Sequence, residues 1–197
     1  MLRAMMKEKV LILGSASPRR AKILSGLGCV FRVAMADAAE IHDASDPVRT
    51  VADNALAKYL ACRLRNPDCA LITADTLVWF AGRLIGKPRD LAEAAVFLRE
   101  FSGRVQTVCT GLALGLPGRE PDIRVEASSV KFKVLSPVTI EAYLAKTRPL
   151  DRAGAYDIDE NGDLLIESYS GSYTNIMGLP RETVRDWLCG HGLMGLR

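Results

Sequence analysis

The stretch from Val10 to Leu27 constrains the fold more than any other part of this 197-residue chain. Val10-Leu11-Ile12-Leu13 is a short apolar run closed by a glycine, the pattern of a buried strand at about 9–14. Ser17 is a good N-cap and Pro18 suits a first helical position, which predicts a helix at about 18–27. A strand turning directly into a helix opens an α/β unit. The charges then break a local rule. Arg19, Arg20 and Lys22 crowd the helix start, where the dipole is positive and each cation costs about 0.3–1 kcal/mol. On that reading Arg20→Ala relieves a misplaced charge and raises stability. A rule broken three times in one turn points to an anion that offsets it. Backbone N–H groups, the hydroxyls of Ser15 and Ser17 and two guanidinium forks make a phosphate-binding set. The alternative, from this segment alone, is a pair of surface arginines on a helix end.

The rest of the chain continues the alternation, without repeats, low-complexity tracts or a long linker. A strand at about 30–35 leads to a loop holding Asp37, Glu40, Asp43 and Asp46. Asp46-Pro47 caps a long helix running to about Leu64. Ala70 to Phe80 reads as a strand with a short return at Leu84 to Gly86, followed by a helix from Asp90 to about Ser102-Gly103. Two strands at about 105–116 and 122–134 flank a Pro117-Gly118-Arg119-Glu120 turn. A helix at about 137–147, a strand pair around Asn161-Gly162 and a helix from about Pro180 to Cys189 complete the pattern. The expected architecture is mixed α/β, a single domain over 1–197 with one long twisted sheet and two lobes around a central cleft.

Asp75 is the second anomaly. It interrupts an apolar strand, where aspartate is a poor strand former and costly if buried alone. A carboxylate kept there needs a metal, a cation, a reacting water or backbone N–H groups as partner. Lys87, held extended by Pro88, has the geometry of a point-charge phosphate ligand or of a solvated loop residue. Lys58 stands beside Asn54 on the long helix, off its apolar face, and is a further candidate cation.

Composition excludes several classes. A net charge of +3 argues against a general nucleic-acid binder. Five cysteines without a CxxC pair, and two histidines, argue against a zinc site and fit a reducing cytosol. Met1 to Lys9 lacks the apolar stretch of a signal peptide and no 18-residue apolar run exists, so a cytoplasmic protein with no membrane partner is expected. No Walker-type glycine loop is present. Asp157 to Leu164 imitates the start of a calcium loop, but position twelve is Ser168 and the flanks are not helical. Asn161-Gly162 is better read as a hairpin turn.

Taken together, Ser17-Pro18-Arg19-Arg20, Ala74-Asp75-Thr76, Gly86-Lys87-Pro88, Ser102-Gly103, Thr110-Gly111, Ala153-Gly154-Ala155-Tyr156 and Gly171-Ser172…Asn175…Gly178-Leu179-Pro180 resemble the Maf family over nearly the whole chain. The resemblance implies a fold similar to the inosine triphosphatases. It implies a nucleoside triphosphate pyrophosphatase that cuts between the α- and β-phosphates with a divalent metal, Mg or Mn, and often assembles as a homodimer. It makes Asp75 the general base, Ser15 and Ser17 phosphate-loop serines, and Arg19, Arg20, Lys58 and Lys87 polar residues of the cleft. Hydrolysis of a phosphoanhydride needs a positioned water, a base or metal to activate it, and cations for the leaving group. Asp75 can be base, metal ligand or both, and Glu40 is the candidate second carboxylate. Asp37, Asp43 and Asp46 read as turn and cap residues.

The resemblance divides on the base. Arg19 and Thr76 are similar to the branch acting on dTTP and UTP, which carries glutamine where Asp159 stands. An acid there resembles the 7-methyl-GTP branch, although that branch departs from this chain at the positions of Arg19 and Thr76. Asp159 is therefore expected to face the base, where a carboxylate accepts hydrogen bonds but donates none. Two rival functions accompany these, a non-catalytic nucleotide-sensing regulator of cell division and a nucleotidyl or sugar-nucleotide transferase.

Overall fold

The computed structural model describes residues 10–35 and 38–194. Met1 to Lys9 and Asp37 lie outside the described residues. In chain order the elements are β1 (Leu11–Leu13), α1 (Pro18–Ser25), β2 (Phe31–Val33), α2 (Pro47–Arg65), β3 (Ala70–Phe80), β4 (Arg83–Ile85), α3 (Leu91–Phe101), β5 (Val105–Gly115), β6 (Asp122–Phe132) and α4 (Pro137–Lys146). Short 3₁₀ turns at 149–151, 153–155 and 162–164 precede β7 (Ile166–Ser170), α5 (Tyr173–Ile176) and α6 (Arg181–Gly190). The strands form one mixed sheet in the order β2-β1-β3-β5-β6-β7, with β4 also on β3. β1 runs parallel to β2 and β3, and the other pairings are antiparallel.

The register of β3 places the cleft. β5 covers one edge of β3 from Leu71 to Trp79. On the opposite edge β1 covers Ala70 to Ile72 and β4 covers Val78 to Phe80. Residues 73–77 are left without a strand neighbour on that side among the described residues. The sheet is therefore split at Asp75 and Thr76.

Period-two alternation builds a core on each side of this split. Ala70, Ile72 and Ala74 join β1, α1 and α6 in one cluster, while Val78 and Phe80 join α3 and α4 in another. Thr76 stands between the two on the same face. On the reverse face α2 buries Val51, Ala55, Tyr59 and Cys62 against Leu71, Leu77 and Ala113. Each fully buried Leu or Val contributes roughly 1.5–3 kcal/mol, so these clusters fix the two sides of the split before any polar contact is counted. No helix among the described residues is long and apolar enough to cross a membrane.

The expected strand pair around Asn161-Gly162 is not formed. Asn161 adopts a left-handed backbone (φ 54°) and starts a 3₁₀ turn. Leu165 is fully buried and its carbonyl accepts from the N–H of Lys133, so the chain plugs the α3–α4 core and does not extend a hairpin. Among the described residues only β7 follows, paired with β6. The four-residue α5 was not foreseen, because its Ser172 cap leads into a helix too short to show a period.

Candidate active site

A cleft of about 760 Å³ opens over the split in the sheet. Its lining brings together Ser15, Ser17, Arg19, Arg20, Glu40, Lys58, Asp75, Thr76 and Lys87. These come from the β1–α1 turn, the loop before α2, α2 itself, β3 and the segment after β4. Asp159 is not in the lining.

Asp75 is 4% exposed and receives two donors. Lys58 Nζ lies 2.5 Å from Oδ1 and Asn54 Nδ2 lies 3.0 Å from Oδ2. Asn54 and Lys58 are one turn apart on α2, which puts both on the face toward β3. The Lys58 ammonium also lies 2.7 Å from Glu40 Oε1, so two carboxylates converge on one cation. Asn54 is buried, exchanges hydrogen bonds with the backbone of Ile41, and so ties the acidic loop to α2. It had no assigned part in the sequence reading, although its i, i+4 spacing from Lys58 was a usable signal. Asp46 caps α2 through the N–H of Arg49, and Asp43 closes a turn on Ser45, as read from the sequence.

At the start of α1, Ser17 accepts from the N–H of Arg20 at 3.5 Å and donates its own N–H to Ser15 Oγ. Arg20 spends its fork on the protein. It donates to the Gly178 carbonyl at 2.8 Å, to Ser15 Oγ at 3.1 Å and to Thr76 Oγ1 at 2.9 Å. Burial pushes its pKa down to about 10, against the opposing pull of Asp75 and helped by repulsion from Arg19. It stays charged at neutral pH in a place that favours an incoming anion. Lys87 is exposed, has no protein partner among the described residues, and follows a Gly86 carbonyl pinned by the N–H of Gly154.

The broken charge rule is partly repaired from the far end of the chain. Arg19 Nη1 lies 2.9 Å from Asp157 Oδ2, and Lys22 Nζ lies 2.7 Å from Asp159 Oδ2. Asp159, expected to face a base, is thus held by Lys22 and by the hydroxyl of Tyr173 at 3.2 Å. The hydrogen bond from Lys22 keeps its carboxyl below the usual range. Burial first, and the nearby Asp159 next, push the Tyr173 hydroxyl up to about 12. Arg152, Asp157 and His42 also line the cleft; nothing local marks Arg152 or His42, and the one local signal at Asp157 is its imitation of a calcium loop.

The expectation for Arg20→Ala reverses. Charge relief at the helix N-terminus is worth about 0.3–1 kcal/mol, whereas a hydrogen bond from a charged donor is worth about 1.5–3 kcal/mol. Truncation also strips the buried Gly178 carbonyl of its guanidinium donor. Thermal unfolding of nucleotide-free Arg20→Ala should show a Tm about 3–10 °C below wild type. An unchanged or higher Tm would restore the charge-relief account.

One side of the cleft is thus acidic around a shared cation, and another presents the amino end of α1 with Arg19, Arg20 and Lys87. This can hold a polyanion by its phosphates with a reacting phosphorus near Asp75. Among the described residues no three His, Cys, Asp or Glu side chains group as a metal site. Two convergent carboxylates do fit Mg²⁺ or Mn²⁺, which commonly take one or two protein carboxylates and complete their shell with substrate phosphates and water.

A sequence profile described as "Maf-like protein" matches residues 10–191. The chain is 39% identical to a dTTP/UTP pyrophosphatase of Deinococcus radiodurans, over 92% of this chain and 93% of that protein. It is 40% identical to a dTTP/UTP pyrophosphatase of Moorella thermoacetica, over 93% and 95%. A protein of the same description from Neisseria meningitidis is 41% identical, over 86% and 88%.

Proposed function

The chain belongs to the Maf family, and from that premise we propose that it is a nucleoside triphosphate pyrophosphatase acting on dTTP and UTP. The reaction hydrolyses the α–β phosphoanhydride to a nucleoside monophosphate and pyrophosphate. The observation that carries this reading is the meeting of Asp75, Glu40 and Lys58 with Ser15, Ser17, Arg19, Arg20 and Lys87 in one cleft. A basic amino end of a helix facing a carboxylate pair suits a substrate whose negative charge grows on the leaving group.

In this mechanism Ser15, Ser17 and the N–H groups at the start of α1 bind the phosphates. Arg19 and Lys87 take up the charge that develops on the departing pyrophosphate, and Arg20, bonded to protein acceptors, adds its positive field. Asp75 orients the attacking water and accepts its proton, and Asn54 and Lys58 fix the carboxylate for that task. A divalent cation held by Asp75 and Glu40 would supply charge neutralisation and activation of a bound water. Lys58 holds the two carboxylates in place for it.

Arg19 and Thr76 in the cleft support pyrimidine substrates, as do relatives named dTTP/UTP pyrophosphatase. The acid that favoured 7-methyl-GTP is occupied by Lys22 and Tyr173. The test is a panel of dTTP, UTP, CTP, GTP and 7-methyl-GTP with Mg²⁺ or Mn²⁺, scored for pyrophosphate against orthophosphate. Pyrophosphate from dTTP and UTP without a second substrate is the expected result. Orthophosphate alone, binding without turnover, or dependence on an acceptor substrate would each overturn it.

A further inference from the structure

We propose that Asp157 is a positioning residue that aims Arg19 into the cleft, with Arg152 holding Asp157 in turn. The inference rests on the cleft being the nucleotide site proposed above. Asp157 is 5% exposed. Its Oδ2 accepts from Arg19 Nη1 at 2.9 Å and forms an ion pair with Arg152, whose Nε lies 2.8 Å away. Its Oδ1 accepts the N–H of Asp159 at 2.9 Å, and its own N–H donates to the Tyr143 hydroxyl. The carboxylate is therefore oriented from several sides and is committed to the protein. Arg152 is pinned as well, by Asp151 and Glu160 at 3.1 Å each.

Arg19 differs from both. Among the described residues it donates only through Nη1, and its side chain is 27% exposed at the cleft. One atom is tethered and the rest of the fork is left for a ligand. A free arginine must lose its rotamer freedom when a phosphate or base binds, and a tethered one has lost it in advance. A carboxylate beside a binding arginine would ordinarily cancel its charge. Here the same oxygen is shared with Arg152, itself paired with Asp151 and Glu160, so the tether supplies orientation, and the charge that draws an anion comes also from Arg20, Lys87 and the amino end of α1. The tether also joins α1 to a segment 138 residues away and sets the spacing of two cleft walls.

The test is a double-mutant cycle between Asp157→Asn and Arg19→Ala. Asp157→Asn keeps the shape and an acceptor for the N–H of Asp159. The readouts are kcat and KM for dTTP with Mg²⁺, and the Kd of a non-hydrolysable α,β-imido dTTP, with Tm as a check on folding. Asp157→Asn should raise KM and Kd about tenfold and change kcat less than about twofold, while Asp157→Glu recovers part of the loss. In an Arg19→Ala background the same change should move Kd by less than about twofold, because its only route of action is gone. An undiminished effect of Asp157→Asn without Arg19, or a fall in kcat at constant KM, would overturn the proposal. If Asp157→Asn does not fold, Arg152→Lys removes the Nε contact while keeping charge, and the same dependence on Arg19 is required. Analogue binding is read without turnover, so a wild-type protein that binds it but releases no pyrophosphate refutes the activity and leaves the coupling to be judged on Kd.

Discussion

Asp75→Asn should lower kcat by at least about 10², the scale for losing an acid–base group, while the protein stays folded. Asparagine keeps the size of the side chain and can still pair with Asn54. Lys58 is not orphaned, because Glu40 remains 2.7 Å from its ammonium. The change therefore removes one negative charge and one proton acceptor from the cleft without opening a cavity in β3. Pyrophosphate release from dTTP under saturating Mg²⁺ measures the loss, and Tm confirms the fold. A folded Asp75→Asn protein with near-normal turnover would take Asp75 out of the chemistry.

Gly111→Ala should have the largest effect on stability. Gly111 lies on β5 directly opposite Asp75. A Cβ built there falls 2.2 Å from the Val51 carbonyl oxygen and 2.9 Å from the Ala52 nitrogen. Both are backbone atoms of α2, so relief requires moving the helix. Overpacking of this kind costs about 1–3 kcal/mol or more, and a clash with helix backbone belongs at the upper end. For a chain of this size that is a Tm lowered by roughly 6–12 °C. Moving α2 also withdraws Asn54 and Lys58 from Asp75, so the folded fraction should lose activity as well. Gly190→Ala is the control, since a Cβ there meets nothing within 4 Å, and its Tm should match wild type. A Gly111→Ala protein as stable as wild type would mean that α2 does not sit on β5 at this point.

Much of this site could be read along the chain because its parts are local anomalies. Asp75 stood out against an apolar strand, Arg19 and Arg20 against a helix dipole, and Lys87 against the proline that follows it. Each departs from a short-range rule, and each lies in the cleft lining. Asn54 was legible only through its spacing from Lys58. Asp157 was legible only as the start of a calcium-loop imitation and Arg152 not at all, because their pairing with Arg19 is made across the fold and breaks no local rule. The Asn161-Gly162 hairpin failed for a related reason. A turn dipeptide permits a hairpin, and the burial of Leu165 against α3 and α4 chose a 3₁₀ turn instead.

The sequence by itself determined the longer elements, their caps and the residue types available for phosphate chemistry, since periodicity, helix capping and proline geometry act within a few residues. Only the tertiary structure decided which charges meet. Arg20 reaches a carbonyl 158 residues away and becomes a structural tie, whereas Arg19 finds Asp157 and keeps most of its fork free. Lys58 joins Asp75 to Glu40, and Asp159 turns to Lys22 outside the cleft lining. The physical reason is that pairing energy depends on distance and burial in space. The split in β3 that brings these groups together arises from where β1 ends and β4 begins to pair.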